Sequence, residues 1–94
     1  MAFRFSWDPS KAASNLRKHG ISFREAVSCF EDPLSLTIPD PDHSAGEARF
    51  ILIGLSVWRR LIVVSHADYG DEIRLIGARR ASRHEQTTYE EEDA

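Results

Sequence analysis

The chain has only one cysteine, Cys29, among its 94 residues, so no internal disulfide can form. The neighbours Ala26, Val27 and Phe30 are apolar, which favours a buried structural thiol over a reactive one. No apolar run is long enough to span a membrane, and the first residues, MAFRFSWDPS, lack the apolar segment of a signal peptide. We therefore expect a cytoplasmic protein with a single domain over residues 1–94.

Three common kinds of site are also missing from the sequence. The single cysteine and the four histidines show neither paired cysteines nor an HExxH pattern, so no metal site is predicted. No glycine-rich phosphate-binding loop and no Ser/His/Asp order can be found. Charge is therefore the main guide to function.

The net charge is −3, which taken alone argues weakly against nucleic-acid binding. The charges are nevertheless segregated. Residues 1–30 carry five basic and two acidic side chains, and residues 49–84 carry seven basic and three acidic ones. Residues 31–48 and 85–94 carry only acidic charges, five each. Ten of the twelve basic residues are arginine, whose planar fork suits phosphate. Composition alone nevertheless favours a solvated, charge-balanced surface.

Apolar patterns predict the order β-α-α-β-β-β-β-α. Asp8 begins a helix that Gly20 ends, and residues 22–25 form a capping box that begins a second helix. A further capping box at residues 82–85 begins the last helix, which we expect Tyr89 to pack onto the sheet. Consecutive strands with short connections predict an antiparallel meander packed on one side by helices, which is an α+β fold.

Three segments of the chain resemble the BrnT family. They are WDPSKAASNLRKHGISFREAVSCFEDP at 7–33, PDPDHSAGEARF at 39–50 and IRLIGARRASRHEQTTYEE at 73–91. The family comprises toxins of bacterial type II toxin–antitoxin systems with a RelE-like ribonuclease fold. Two residues depart from its pattern: Gly77 stands where serine is common, and Trp58 occupies a hairpin tip that is usually polar.

The resemblance implies an endoribonuclease that cleaves mRNA without a metal or another cofactor and arrests growth. It also implies a cognate ribbon–helix–helix antitoxin, with which we expect a heterotetramer. The antitoxin would block the toxin and carry it onto operator DNA. RNA would be the substrate, and no membrane partner is expected.

Metal-free RNA cleavage needs cations that stabilise the charge on the phosphoryl oxygens. Arg79 and Arg83 lie where the last strand is followed by a helix, and we predict that they form a catalytic phosphate clamp. Arg74 or Arg80 would support RNA binding, and regular alternation predicts that these two share one orientation. The alternative is that two of the four form ordinary surface ion pairs.

The sequence offers His66 and Glu47 as catalytic acid–base candidates. A histidine that ends an apolar strand is more often structural, and Glu47 can instead pair with Arg49, itself a candidate for RNA binding. Lys18 and His19 end the first long helix, where they either stabilise the helix dipole or bind RNA.

Two other functions remain open at this stage. One is a catalytically silent module that receives the antitoxin and serves as a co-repressor, which predicts tight binding without RNA cleavage. The other is a ribosome-associated factor that cuts only mRNA under translation, which predicts no cleavage of naked RNA.

Overall fold

A computed structural model of the chain describes residues 3–41 and 48–92. These residues form five strands and three α-helices, which confirms the predicted α+β class. None of the helices in the described ranges is long and apolar enough to cross a membrane. In chain order the elements are β1 (Arg4–Ser6), α1 (Pro9–His19), α2 (Phe23–Ser28), a 3₁₀ turn (Cys29–Glu31), β2 (Leu36–Pro39), β3 (Arg49–Leu55), β4 (Leu61–Tyr69), β5 (Glu72–Arg80) and α3 (Arg83–Glu92).

The five strands form one mixed sheet in the order β1-β5-β4-β3-β2. The strands β2 to β5 form an antiparallel meander, but β1 runs parallel to β5, with Arg4 opposite Glu72 and Ser6 opposite Arg74. The prediction of a purely antiparallel sheet is therefore wrong for β1. Its partner lies more than sixty residues away along the chain, and no local pattern can reveal such a pairing.

The helices α1 and α2 cover one side of the sheet, called here the helix face. Asp8 caps α1 by accepting a hydrogen bond from the Ser10 backbone N–H at 2.9 Å, and Gly20 ends it with a φ of 70°. The helix-face core contains Ile21, Phe23, Ala26 and Cys29 of the helical layer with Leu52, Ile62, Val64, Ile73, Leu75 and Ala78 of the sheet.

Cys29 is fully buried in this core, as the sequence predicted. Burial raises the pKa of its thiol to about 12, with smaller contributions from the charges of Glu25 and Asp32. A thiol that stays protonated is a poor nucleophile, so Cys29 has a structural role.

The opposite side of the sheet, called here the open face, carries Leu61, Val63, Ser65 and Ala67 of β4. Of the helices in the described ranges, only α3 lies over it, and Tyr89 packs against Val63 and neighbouring apolar side chains. The prediction that all helices pack on one side is therefore wrong for α3. The long apolar runs of β3 and β4 explain the difference, because strands with two apolar faces need cover on both.

The hairpin between β3 and β4 turns at residues 57–59, where the sequence placed it. Arg59 adopts a φ of 62°, and Trp58 is 67% exposed. The buried carboxylate of Glu25 in α2 accepts hydrogen bonds from the Arg60 guanidinium and the Ser56 hydroxyl. These bonds lower the pKa of Glu25, the Arg60 bond most, and fix the hairpin to the helical layer.

Candidate active site

Strand β5 has one residue more than the part of β4 that it faces. Ser65 pairs with Gly77, but the next residue of β4, His66, pairs with Leu75. Ile76 is therefore an extra residue, and the strand contains a β-bulge. A bulge reverses the alternation of the side chains that follow it. Even-numbered residues of β5 therefore point to the open face before Ile76, and odd-numbered residues point to it after Ile76.

This bulge places Arg74 and Arg79 on the same face of the sheet. Arg74 pairs with Ala67 and Arg79 pairs with Val63, and both partners belong to the open face. Arg80 follows Arg79 directly and therefore points to the helix face. The prediction that Arg80 shares the orientation of Arg74 is wrong, because it assumed a regular strand.

Arg49 joins the two arginines from the neighbouring strand. It pairs with Ala67 from the β3 side, so Arg49 and Arg74 flank the same residue of β4 on the open face. Arg74 is exposed and Arg49 is half-buried. Three of the predicted RNA-binding and catalytic arginines thus share the face that α3 covers only in part.

Two clefts lie next to these arginines, and Ser65 lines both. The first, of about 220 Å³, contains His19, Gly77 and Arg79 in its lining. The second, of about 180 Å³, contains Arg49. A Cβ added to Gly77 would meet only an Asn15 oxygen at 3.8 Å, so the missing side chain contributes to the open space of the first cleft.

Arg79 is held by a carboxylate of α3. Its two terminal nitrogens each donate to a different oxygen of Glu85 at 2.8 Å. Glu85 also accepts from the Ser82 backbone N–H at 2.8 Å, which completes the predicted capping box. The Arg79 bonds, more than the Ser82 bonds, lower the pKa of Glu85 to about 2. The ion-pair interpretation therefore applies to Arg79, yet its side chain is still 47% exposed beside the first cleft.

Arg83 is the first residue of α3 and is exposed. Within residues 3–41 and 48–92 it has no carboxylate at ion-pair distance. The clamp of Arg79 with Arg83 stays a prediction, supported by their positions on either side of the short connection between β5 and α3.

His66 lies on the helix face and is 2% exposed. Its Nδ1 is 2.7 Å from Asp68 Oδ1, and its ring lies edge-on to Phe30 and stacked on Phe50. Its Nε2 has no hydrogen-bond partner in the described part of the chain. The structure therefore does not bring the imidazole to the face that carries Arg79.

The remaining three candidates from the sequence have different outcomes. Glu47 lies outside the described residues. Lys18 is exposed in the last turn of α1, and His19, the last residue of that helix, lines the first cleft. No group of three potential metal ligands comes together in residues 3–41 and 48–92.

Sequence reasoning missed Asn15. Its buried amide donates to the Ala78 carbonyl at 2.8 Å and to the Ile21 carbonyl at 2.9 Å, and its oxygen accepts from the Ala78 N–H at 3.0 Å. The available signal was an asparagine inside a helix, where that residue is unfavourable without a specific bonding role. Asn15 thus fixes α1 to the strand that carries Arg79.

Comparisons with known proteins find a family match in the sequence and a structural match in the fold. A family model described as ribonuclease toxin, BrnT, of type II toxin-antitoxin system matches residues 7–85. A comparison with curated protein sequences finds no match. The fold is similar to the 1.1 Å crystal structure of the Brucella abortus ribonuclease toxin BrnT, with a TM-score of 0.69 and 27% identity over 87% of this chain and 100% of that chain. The chain therefore belongs to the BrnT family of ribonuclease toxins of type II toxin–antitoxin systems.

Proposed function

We propose that this toxin is a metal-independent endoribonuclease that cleaves mRNA in the cytoplasm and thereby arrests growth. The observation that carries the proposal is the placement of Arg49, Arg74 and Arg79 on one open sheet face, where Arg79 lines the first cleft and Arg49 lines the second. Guanidinium groups on strands keep their charge at working pH and can stabilise a phosphorane-like transition state without a metal ion.

The residues have distinct roles in this proposal. Arg79 and Arg83 hold the scissile phosphate. Arg49, Arg74 and Lys18 bind the flanking RNA, and His19 contacts the RNA in the first cleft. Glu47 stays a candidate base. His66 lies on the helix face but lines the second cleft, and its Nε2 has no hydrogen-bond partner among the described residues, so it stays a candidate acid or base there.

The direct test is cleavage of a defined single-stranded RNA by the purified chain, with and without EDTA, followed by analysis of the new ends. We expect cleavage that EDTA does not reduce and products with 2′,3′-cyclic phosphate and 5′-hydroxyl ends. Expression of the toxin alone should stop growth and fragment mRNA, and co-expression of the antitoxin should prevent both. Intact RNA in every assay with folded protein would contradict the proposal.

The antitoxin is proposed to be of the ribbon–helix–helix class and to form a heterotetramer with the toxin. Because ribbon–helix–helix dimers read DNA with a β-ribbon, the complex and not the toxin should bind operator DNA. Light scattering of the purified complex gives its stoichiometry, and a mobility-shift assay with toxin, antitoxin and complex gives the DNA-binding component.

A catalytically silent co-repressor is the second candidate. The Arg79–Glu85 pair favours it, since a guanidinium already bonded to a carboxylate is less available to phosphate. This function predicts that the toxin binds the antitoxin and strengthens operator binding, while neither naked RNA nor translated mRNA is cleaved.

A further inference from the structure

The first cleft joins a histidine to an arginine of the open face. His19, from the end of α1, and Arg79, from β5, both line this space of about 220 Å³, with Ser65 in its lining as well. His19 is exposed, and no residue in the described ranges forms a hydrogen bond with its ring. Its imidazole is therefore available to a bound substrate.

The position of His19 is fixed by two neighbours in α1 and at its end. Asn15 lies one turn earlier on the same side of the helix and is bonded to both backbone groups of Ala78, the residue before Arg79. Gly20 then ends the helix in the left-handed conformation, with its N–H donated to the Leu16 carbonyl at 2.9 Å. A histidine held this way does not depend on a mobile loop.

Few groups in the cleft can accept a proton near neutral pH. Arginine keeps its proton at working pH, and a neutral serine hydroxyl is too weakly basic to accept one. The carboxylate of Glu85, with a pKa of about 2 set mainly by its bonds to Arg79, is a weak base. Histidine is the residue type whose charge changes between about pH 5 and 8.

We propose that His19 is the general base of RNA cleavage, an assignment that rests on the proposed ribonuclease function. Three cations lie near this end of α1: Lys18 in its last turn, Arg79 in the lining of the same cleft, and Arg60, whose guanidinium donates to the Gly20 carbonyl at 3.2 Å. Arg60 and Arg79 are also bonded to the carboxylates of Glu25 and Glu85, so Lys18 is the one of the three without a carboxylate partner among the described residues. These cations attract the RNA backbone to the base.

A ring nitrogen of neutral His19 takes the proton of the 2′-hydroxyl, and the 2′-oxygen forms a bond to the adjacent phosphorus. The bond from phosphorus to the 5′-oxygen breaks, and water supplies the proton to that leaving oxygen. Arg79 binds the phosphoryl oxygens, nothing is oxidised or reduced, and the products are a 2′,3′-cyclic phosphate and a 5′-hydroxyl.

The experiment compares His19→Gln with His84→Gln in the full chain. His84 is an exposed histidine of α3 that lines none of the described clefts, so it is a matched control. Single-turnover cleavage of RNA should fall about 10²- to 10⁴-fold in His19→Gln and stay unchanged in His84→Gln. RNA affinity should change less than about threefold, and thermal unfolding shows whether both variants are folded.

The pH profile and chemical rescue separate catalysis from a structural role. The wild-type rate should rise between about pH 5 and 8 and then level off, and His19→Gln should lack this rise. Added imidazole should restore part of the activity of His19→Ala. A wild-type protein that cleaves RNA beside a His19→Gln variant with the same rate and pH profile would overturn this assignment alone. A wild-type protein without any cleavage would overturn the proposed function and this assignment with it.

Discussion

Arg74 and Arg79 lie five residues apart in one strand, yet their side chains point to the same face of the sheet. In a regular strand two residues an odd number of positions apart point to opposite faces. Ile76 is an extra residue between them, and the bulge that it forms brings both side chains to the same face. Their partners Ala67 and Val63 are four residues apart in β4, a separation of about 13 Å. This spacing suits contacts with different phosphates of one RNA strand.

The first prediction concerns the two arginines of the open face. If the wild-type protein contacts three or four phosphates, its RNA affinity should fall with salt with a log–log slope of about −2 to −3. Arg74→Ala and Arg79→Ala should each weaken binding and make that slope less negative by about 0.7, because each removes one phosphate contact. Fluorescence anisotropy at several salt concentrations measures both quantities.

Two other arginines serve as controls for this prediction. Arg24 is exposed on α2, outside the open face, and Arg80 points to the helix face. Arg24→Ala removes the same charge and should leave the slope unchanged, and Arg80→Ala should affect it less than Arg79→Ala. Equal effects of all four substitutions would mean that net charge, and not the open face, governs RNA binding.

The second prediction uses two glycines that differ in the space around them. A Cβ on Gly54 would lie 2.8 Å from the Cys29 carbonyl oxygen, a backbone atom that cannot rotate away. Gly54→Ala should therefore lower the free energy of unfolding by about 1–3 kcal/mol. Gly77→Ala, with only an Asn15 oxygen at 3.8 Å, should be neutral or stabilise by up to about 1 kcal/mol. Urea unfolding followed by circular dichroism measures the free energy of unfolding of both variants. Equal losses of stability in the two would contradict the described packing.

The third prediction concerns the bond that joins α3 to the helical layer. The Tyr89 hydroxyl donates to Asp32 Oδ2 at 2.6 Å. Burial opposes ionisation of Asp32, but this bond and the N–H groups of Leu55 and Leu34 outweigh it, so the pKa of Asp32 is lowered. Tyr89→Phe should lower the free energy of unfolding by about 1.5 kcal/mol. This is the low end for a hydrogen bond to a charged group, because Asp32 is partly open to water.

A double-mutant cycle isolates that bond. Tyr89→Phe should lower the free energy of unfolding less in the Asp32→Asn background than in the wild type, because an amide is a weaker hydrogen-bond acceptor than a carboxylate. The same cost in both backgrounds would assign the effect to ring packing.

The fourth prediction is a pH dependence of stability that arises from Glu85. Its pKa is about 2 in the folded chain and 4.5 in the absence of the fold, mainly because of Arg79. A lowered folded pKa gives stability that is complete above about pH 4.5 and is lost as the pH falls toward about 2. The pair is open to solvent, so its contribution is about 1 kcal/mol. The difference in unfolding free energy between wild type and Glu85→Gln should therefore shrink from pH 6 to pH 2.5, and a constant difference would contradict this origin.

Local sequence signals predicted the elements whose causes are local. Asp8, Gly20, the Ser22 cap and the capping box at residues 82–85 act within a few residues, and the structure contains all of them. The capping box predicted at residues 22–25 is only half formed, because the Glu25 carboxylate bonds Arg60 and Ser56 across the fold. The family was likewise apparent from long idiosyncratic segments such as that around Trp7. Burial of Cys29 and the packing of Tyr89 followed from the apolar pattern around them.

The errors concern relationships between distant residues. A bulge depends on how two strands pair, so Ile76 looks like any other residue of an apolar strand. The parallel position of β1 and the placement of α3 on the open face depend on which surfaces remain uncovered after the rest has folded. For the same reason the sequence could name His66 and His19 but could not show that only His19 shares a cleft with Arg79.

The amide of Asn15 has one more consequence, for association between molecules. Strand β1 pairs with β5 only at residues 72–74, so the edge of β5 beyond that point would otherwise offer free backbone groups to a foreign strand. Asn15 occupies the N–H and carbonyl of Ala78, and an Arg79 guanidinium nitrogen bonds the Arg80 carbonyl at 3.2 Å. Side chains thus occupy backbone groups that a foreign strand would need at Ala78 and Arg80, which disfavours edge-to-edge pairing on this flank of the sheet.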